Sequence, residues 1–337
     1  MKDLSDYSLK RHNTFGFDVK CKRFVEFYTV DELKHVIDGL TSADEPLLVI
    51  GGGSNILFTK DFEGTVLHSA IKGHHATRMD GSVFLRCGSG ENWDDVVKLC
   101  VDNGLYGAEN LSLIPGDVGA TAVQNIGAYG IEAKDLIFKV EAVDIKTGEL
   151  CEFTNDECGY AYRWSRFKRE WKGRYVITYV TYKLSDTFVP HTDYGNIKAE
   201  LESEGIKTPT VTQMRNVVIK IRKSKLPDPA IEGNAGSFFT NPIVSKDKYD
   251  ELVSRFGEVP HYPVDEDREK IPAGWMIDSC GWKGKSSGNV GVCPSQALVL
   301  VNHGGADGND ILRLCEAIRK DVSDKFGIEI TPEVNII

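Results

Sequence analysis

The sequence predicts an α+β fold built in separate modules, and three observations carry that expectation. Short strand patterns and amphipathic helix patterns interleave along the chain, with no internal repeat and no low-complexity tract. Two glycine-rich passages, residues 51–55 and 114–130, interrupt the first half. Pro227 and Pro229 then mark a linker, beyond which helix and strand patterns resume.

Taken in order, residues 30–40 space their apolar side chains as a helix does, and 46–50 form an apolar run that stops at Gly51, the pattern of a buried strand entering a glycine loop. Residues 65–87 read as short extended segments. Residues 91–103 read as a helix with Trp93, Val96, Val97 and Cys100 on one stripe. The passage 115–130 reads as a second glycine-rich loop. Strands at 138–145 and 175–184 flank a polar loop rich in arginine and tyrosine. Downstream of the linker, 246–256 and 310–326 read as amphipathic helices on either side of a strand at 297–302.

Bulk properties bound the function. At 337 residues and 41% hydrophobic content the chain suffices for two or three ordinary domains. A net charge of −10 argues against nucleic acid or an anionic membrane as partner, because phosphate binding usually needs a basic field. Any anionic ligand must therefore meet a local cluster. The eight cysteines include no CxxC pair and no histidines at ligand spacing, so they read as reduced thiols and no metal is expected. The N-terminal residues lack a signal-type apolar core and no stretch is long enough to span a bilayer, which makes the cytoplasm the expected location.

Chemistry is suggested at several places. Gly51, Gly52, Gly53, Ser54 and Asn55 follow a strand directly, so their amides suit a concave nest for phosphate; a plain tight turn is an equal reading of the run alone. The run is not GxGxxG opening a helix, so a Rossmann site is disfavoured. In the second passage Ile114, Pro115, Gly116, Gly119, Ala120, Gln124, Asn125, Gly127, Ala128, Tyr129 and Gly130 crowd small residues into a stretch without loop polarity, as a backbone wrapped around a flat or phosphate-bearing ligand would. Gln124 and Asn125 then need buried partners. Tyr162, Arg163, Arg166, Lys168 and Arg169 form a basic island with interleaved aromatics, suited to holding a carboxylate. Lys220, Arg222, Lys223 and Lys225 beside the glycine-rich stretch 233–242 suit a diphosphate, and Ser237 within that stretch suits proton transfer, although a lone serine is more often structural. Residues 280–286 imitate a P-loop, but its first glycine falls on Ser279, so the motif fails. Glu333 follows Pro332 in an extended apolar segment, which by itself reads as an edge strand.

In this order the motifs closely resemble the UDP-N-acetylenolpyruvoylglucosamine reductase family in its long-loop subclass, over nearly the whole chain: Asn13–Gly16, 51–55, 114–130, Tyr162–Lys168, Lys225–Pro229, Gly233–Pro242 and Pro332–Val334. The resemblance implies an FAD-binding fold of the vanillyl-alcohol-oxidase type with two α+β subdomains, 1–67 (rejoined by 328–337) and 68–223, and an α+β substrate domain at 224–327. It implies FAD held by the two glycine-rich passages, NADPH as reductant, and a nucleotide-sugar enolpyruvyl ether as substrate, reduced to the lactyl ether in peptidoglycan precursor synthesis by a monomer. Ser237 resembles the family's proton donor, and Arg163 and Glu333 the pair that binds and polarises the substrate carboxylate. Tyr162, Tyr194, Arg222, Lys225, Asn241 and Gln296 resemble its substrate-contacting residues. Two departures stand out: His191, Thr192 and Asp193 before Tyr194, and Trp164 where an acidic residue is often found. The nearest alternatives are a flavin oxidase of the same fold and a nucleotide-sugar binding protein without catalysis.

Overall fold

A computed structural model describes residues 1–337. Packing divides the chain into two units, one of residues 1–12, 20–53 and 62–223, the other of residues 13–19, 54–61 and 224–337. Each is described by itself.

The first unit holds two sheets. Lys2–Ser8, Lys20–Phe27, Phe62–Ser69 and Leu47–Ile50 lie in that order, the last three mutually parallel. Helix Val30–Asp38 is capped by Thr29, whose hydroxyl accepts the Glu32 amide at 3.1 Å. Its buried stripe, Leu33, Val36 and Ile37, packs on Val25, Phe27 and Leu67, and on Val143 and Val176 of the second sheet. That second sheet is antiparallel, ordered Leu150–Thr154, Ile137–Asp144, Tyr175–Ser185, Ser82–Gly88 and His74–Met79. Helix Trp93–Asp102 buries Trp93, Val96, Val97 and Cys100 against it, the stripe expected from the sequence.

The passage 115–130 is not all loop. Val118–Gln124 is a helix, ended by Asn125 in the left-handed region at φ 43°. Its small residues are what let it lie close: a Cβ on Gly119 would stand 3.0 Å from the Ser89 Cβ, and Thr121 meets the buried Tyr182 hydroxyl at 2.6 Å. The basic run at 220–225 is the end of a helix, Val211–Lys225. That helix buries Met214, Val217, Val218 and Ile221 on Ile197 and Leu201, and Arg215 grips Asp94 in a bidentate pair at 2.8 and 2.9 Å.

In the second unit, Gly233–Ser237, Val299–Asn302, Val290–Val292 and Ser286–Ser287 form one antiparallel sheet, and Ile243–Ser245, Arg268–Lys270 and Tyr262–Pro263 another. Helices Lys246–Phe256, Ala273–Ser279 and Gly308–Phe326 complete the main apolar core. The longest helix opens with a capping box of Asp307 and Asp310 and closes at Gly327, φ 63°. It buries Ile311, Leu314, Cys315, Ile318, Val322 and Phe326, each worth roughly 1.5–3 kcal/mol for the larger side chains. Ile56–Leu57 pairs in parallel with Asn335–Ile336, which ties residues 54–61 to the C-terminus. No helix is long and apolar enough to cross a membrane.

Candidate active site

In the first unit the two glycine passages meet. The Asp117 carboxylate lies 3.1 Å from where a Gly51 Cβ would stand, the Gly116 Cα 3.4 Å from a Gly52 Cβ, and Gly53 takes φ 67°. Glycine at 51 and 52 lets the two passages approach this closely, with the Asp117 side chain lying against them. Asp117 itself accepts the Gly52 amide rather than capping its own helix. Burial pushes this carboxyl up to about 6, with Glu91 adding to the rise and Lys72 and the Gly52 amide opposing it.

Gln124 and Asn125 both find partners, but only Asn125 is buried; Gln124 and the groups that meet the two side chains are part-buried or exposed. The Gln124 amide oxygen accepts from Lys168 Nζ at 2.8 Å; Asn125 donates to Glu132 and the Ala161 carbonyl at 2.9 and 2.8 Å and accepts the Lys134 amide at 2.9 Å. Both side chains thus shape the loop from within. Gly127–Ala128 and Ile131–Glu132 form a hairpin whose two turn residues, Tyr129 and Gly130, both take positive φ, 50° and 83°.

Arg163 also takes positive φ, 53°, and its guanidinium donates to the Gly127 carbonyl at 2.9 Å while standing over the Tyr162 ring at 5.5 Å. Ser165 fixes the basic loop by donating to the Val123 carbonyl at 2.6 Å, and Phe167 anchors it in a cluster with Phe153, Trp171 and Tyr175. The island is therefore an anchored loop, although Arg166 and Arg169 are exposed. Strained backbone concentrates here: Leu113, Asn125, Tyr129 and Arg163 are four of the six non-glycine residues at positive φ. Arg222 donates to the Leu113 carbonyl at 3.3 Å, and burial holds its guanidinium below its ordinary pKa. Tyr194 lies against the hairpin: a Cβ on Gly130 would stand 3.4 Å from its own Cβ.

In the second unit the structure brings the end of strand Gly233–Ser237 beside the extended segment that carries Glu333. Asn234 pairs with Val301 but Ser237 with Val299, so one extra residue is accommodated, and Gly236 at φ 66° sits at that bulge. Such a bulge re-aims the next side chain, which is the local reason a glycine precedes Ser237. The Glu333 amide donates to the Phe238 carbonyl at 2.8 Å, Phe239 pairs with Pro332, and the Thr240 amide donates to Thr331. Asn55, expected at the cofactor, donates to the Glu333 carbonyl at 3.2 Å and accepts from the Asn335 amide at 3.0 Å, so it steadies the segment that carries Glu333. Asn241 and Gln296 converge on one helix start: the Asn241 oxygen accepts the Ala273 amide at 2.9 Å, and the Gln296 oxygen is 3.3 Å from a Gly274 Cβ. The Lys225 carbonyl accepts from Ser295 at 2.8 Å.

Asp117, and Asn110 in the short turn Glu109–Leu111, carry no sequence signal. An acid beside a phosphate nest runs against charge logic, and a single asparagine in a short turn carries no pattern.

Known proteins place the chain in a family. A family model described as the C-terminal domain of UDP-N-acetylenolpyruvoylglucosamine reductase matches residues 228–337, and an FAD binding domain model matches residues 21–154. The UDP-N-acetylenolpyruvoylglucosamine reductase of Bacteroides fragilis strain YCH46 is 53% identical over 98% of this chain and 99% of its own, and that of Flavobacterium johnsoniae is 45% identical over the full length of both. The crystal structure of the enzyme of the same name from Thermus caldophilus superposes with a TM-score of 0.67 at 22% identity, covering 99% of this chain and 98% of its own, so the vanillyl-alcohol-oxidase-type FAD-binding fold is shared. The chain thus belongs to the UDP-N-acetylenolpyruvoylglucosamine reductase family and is an FAD-dependent oxidoreductase.

Proposed function

We propose that this protein reduces UDP-N-acetylglucosamine enolpyruvate to UDP-N-acetylmuramate, with NADPH as reductant, in peptidoglycan precursor synthesis. The observation that carries the reading is the glycine bulge that presents Ser237 one residue from Phe238, whose carbonyl accepts the Glu333 amide. The chemistry that FAD supplies when bound is hydride transfer from NADPH to the outer carbon of the enolpyruvyl double bond. Ser237 gives the proton to the other carbon, which completes the lactyl ether. The Arg163 guanidinium and Glu333 bind and polarise the substrate carboxylate, so that charge developing beside it is stabilised. Residues 51–55 and 114–130 hold the FAD diphosphate and ring through bare backbone. Tyr162, Tyr194, Arg222, Lys225, Asn241 and Gln296 grip the nucleotide sugar.

Under this reading 1–67 with 328–337, and 68–223, serve the cofactor, and 224–327 the substrate. All eight cysteines are free thiols, which suits the proposed cytoplasmic location.

The test is rapid mixing with Ser237→Ala. Flavin bleaching by NADPH should keep its rate, while recovery of colour with the enolpyruvyl substrate slows by about 10²–10⁴, the usual worth of a positioned proton donor. Equal slowing of both half-reactions contradicts the assignment.

A further inference from the structure

We propose that Asn110 is a positioning residue for substrate binding, an amide clamp that seats the Tyr194 segment on the hairpin against which Arg163 is anchored. The inference rests on the reading of Tyr194 as a substrate contact. The two protons of the Asn110 side-chain amide go to two carbonyls remote in sequence, Tyr129 at 2.9 Å and His191 at 3.0 Å. Tyr129 opens the hairpin turn whose Gly127 carbonyl accepts from Arg163 at 2.9 Å, and His191 lies three residues before Tyr194. Around this one amide the two segments interlock, since a Cβ on Gly130 would meet Tyr194 at 3.4 Å and a Cβ on Gly195 would meet the Tyr129 ring at 3.6 Å.

The clamp has a rigid base. Asn110 is fully buried in the short 3-10 turn Glu109–Leu111. The Leu111 carbonyl accepts the Trp93 indole at 3.0 Å, the Leu113 amide donates to Asp94 at 2.5 Å, and Glu109 accepts the Gly107 amide at 2.8 Å. The Asn110 carbonyl oxygen is buried without a hydrogen-bond partner, so the side chain is there as a donor. Aspartate has the same shape and, ionised, no donor; it would face two carbonyl oxygens.

The experiment compares Asn110→Asp, Asn110→Ala and Tyr194→Ala in the FAD-loaded protein, measuring KM for UDP-N-acetylglucosamine enolpyruvate, the rate of flavin bleaching by NADPH, and the rate of proteolytic cleavage within residues 186–196. Loss of two hydrogen bonds predicts a KM raised about tenfold in both Asn110 variants, with unchanged bleaching and faster cleavage. If one Asn110 variant fails to fold, the other decides. A KM unchanged in Asn110→Ala while Tyr194→Ala raises it overturns the clamp alone. A KM unchanged in Tyr194→Ala overturns the reading of Tyr194, and the clamp with it.

Discussion

Replacing Asp117 by asparagine should stabilise the FAD-free protein, and by an amount that grows with pH. The side chain is packed between the two glycine passages, accepts the Gly52 amide, and is pushed by burial from 3.8 up to about 6. A carboxyl whose folded value is raised binds more protons folded than unfolded. Its favourable contribution is therefore fully present below about pH 4 and is lost as pH rises through 6. The difference between 3.8 and about 6, at about 1.4 kcal/mol per factor of ten in proton affinity, amounts to about 3 kcal/mol. Asparagine keeps the shape and can still accept the Gly52 amide, so the variant escapes that cost. Its advantage over the natural chain should widen from roughly 1.5 kcal/mol at pH 5 to about 3 kcal/mol at pH 8. Urea unfolding of both proteins at pH 5, 6, 7 and 8, followed by tryptophan fluorescence, reads the difference directly. Parallel pH profiles, or a variant less stable at every pH, would refute the reasoning.

The remaining predictions probe packing and presentation. Gly236→Ala forces a Cβ into left-handed backbone at φ 66°, at a cost of about 1–2 kcal/mol; if the bulge straightens to relieve it, Ser237 turns away, so the oxidative half-reaction should fall far more than the melting temperature. Arg215→Leu leaves the Asp94 carboxylate half-buried without its bidentate partner, and a loss of about 3 kcal/mol in urea unfolding is expected; Arg215→Leu with Asp94→Asn should recover much of it.

Much of the fold was legible because periodicity and burial coincide. The stripe of Trp93, Val96, Val97 and Cys100 is buried as its spacing requires, and the apolar run before Gly51 is a strand, Leu47–Ile50. Helix Val118–Gln124 was hidden because its glycine and alanines give no amphipathic stripe; contact with Ser89 and Tyr182, supplied by distant residues, selects the helical form. Helix Val211–Lys225 was hidden because its basic end drew attention as a charge run, while its apolar stripe packs on Ile197 and Leu201. At the candidate site, the glycines at 51 and 52 marked where the two passages approach each other. The supporting contacts were not legible, since nothing local ties Asn110 to His191 or Asn55 to Glu333, and only the folded chain brings them within hydrogen-bond reach.

An FAD-dependent reductase acting on an enolpyruvyl nucleotide sugar is tested most directly by its visible spectrum under anaerobic conditions. The purified protein should be yellow, bleach on addition of NADPH, and regain its colour when UDP-N-acetylglucosamine enolpyruvate follows. Bleached protein that stays colourless after the nucleotide sugar is added, yet recovers with oxygen, would contradict the substrate and point to a flavin oxidase instead.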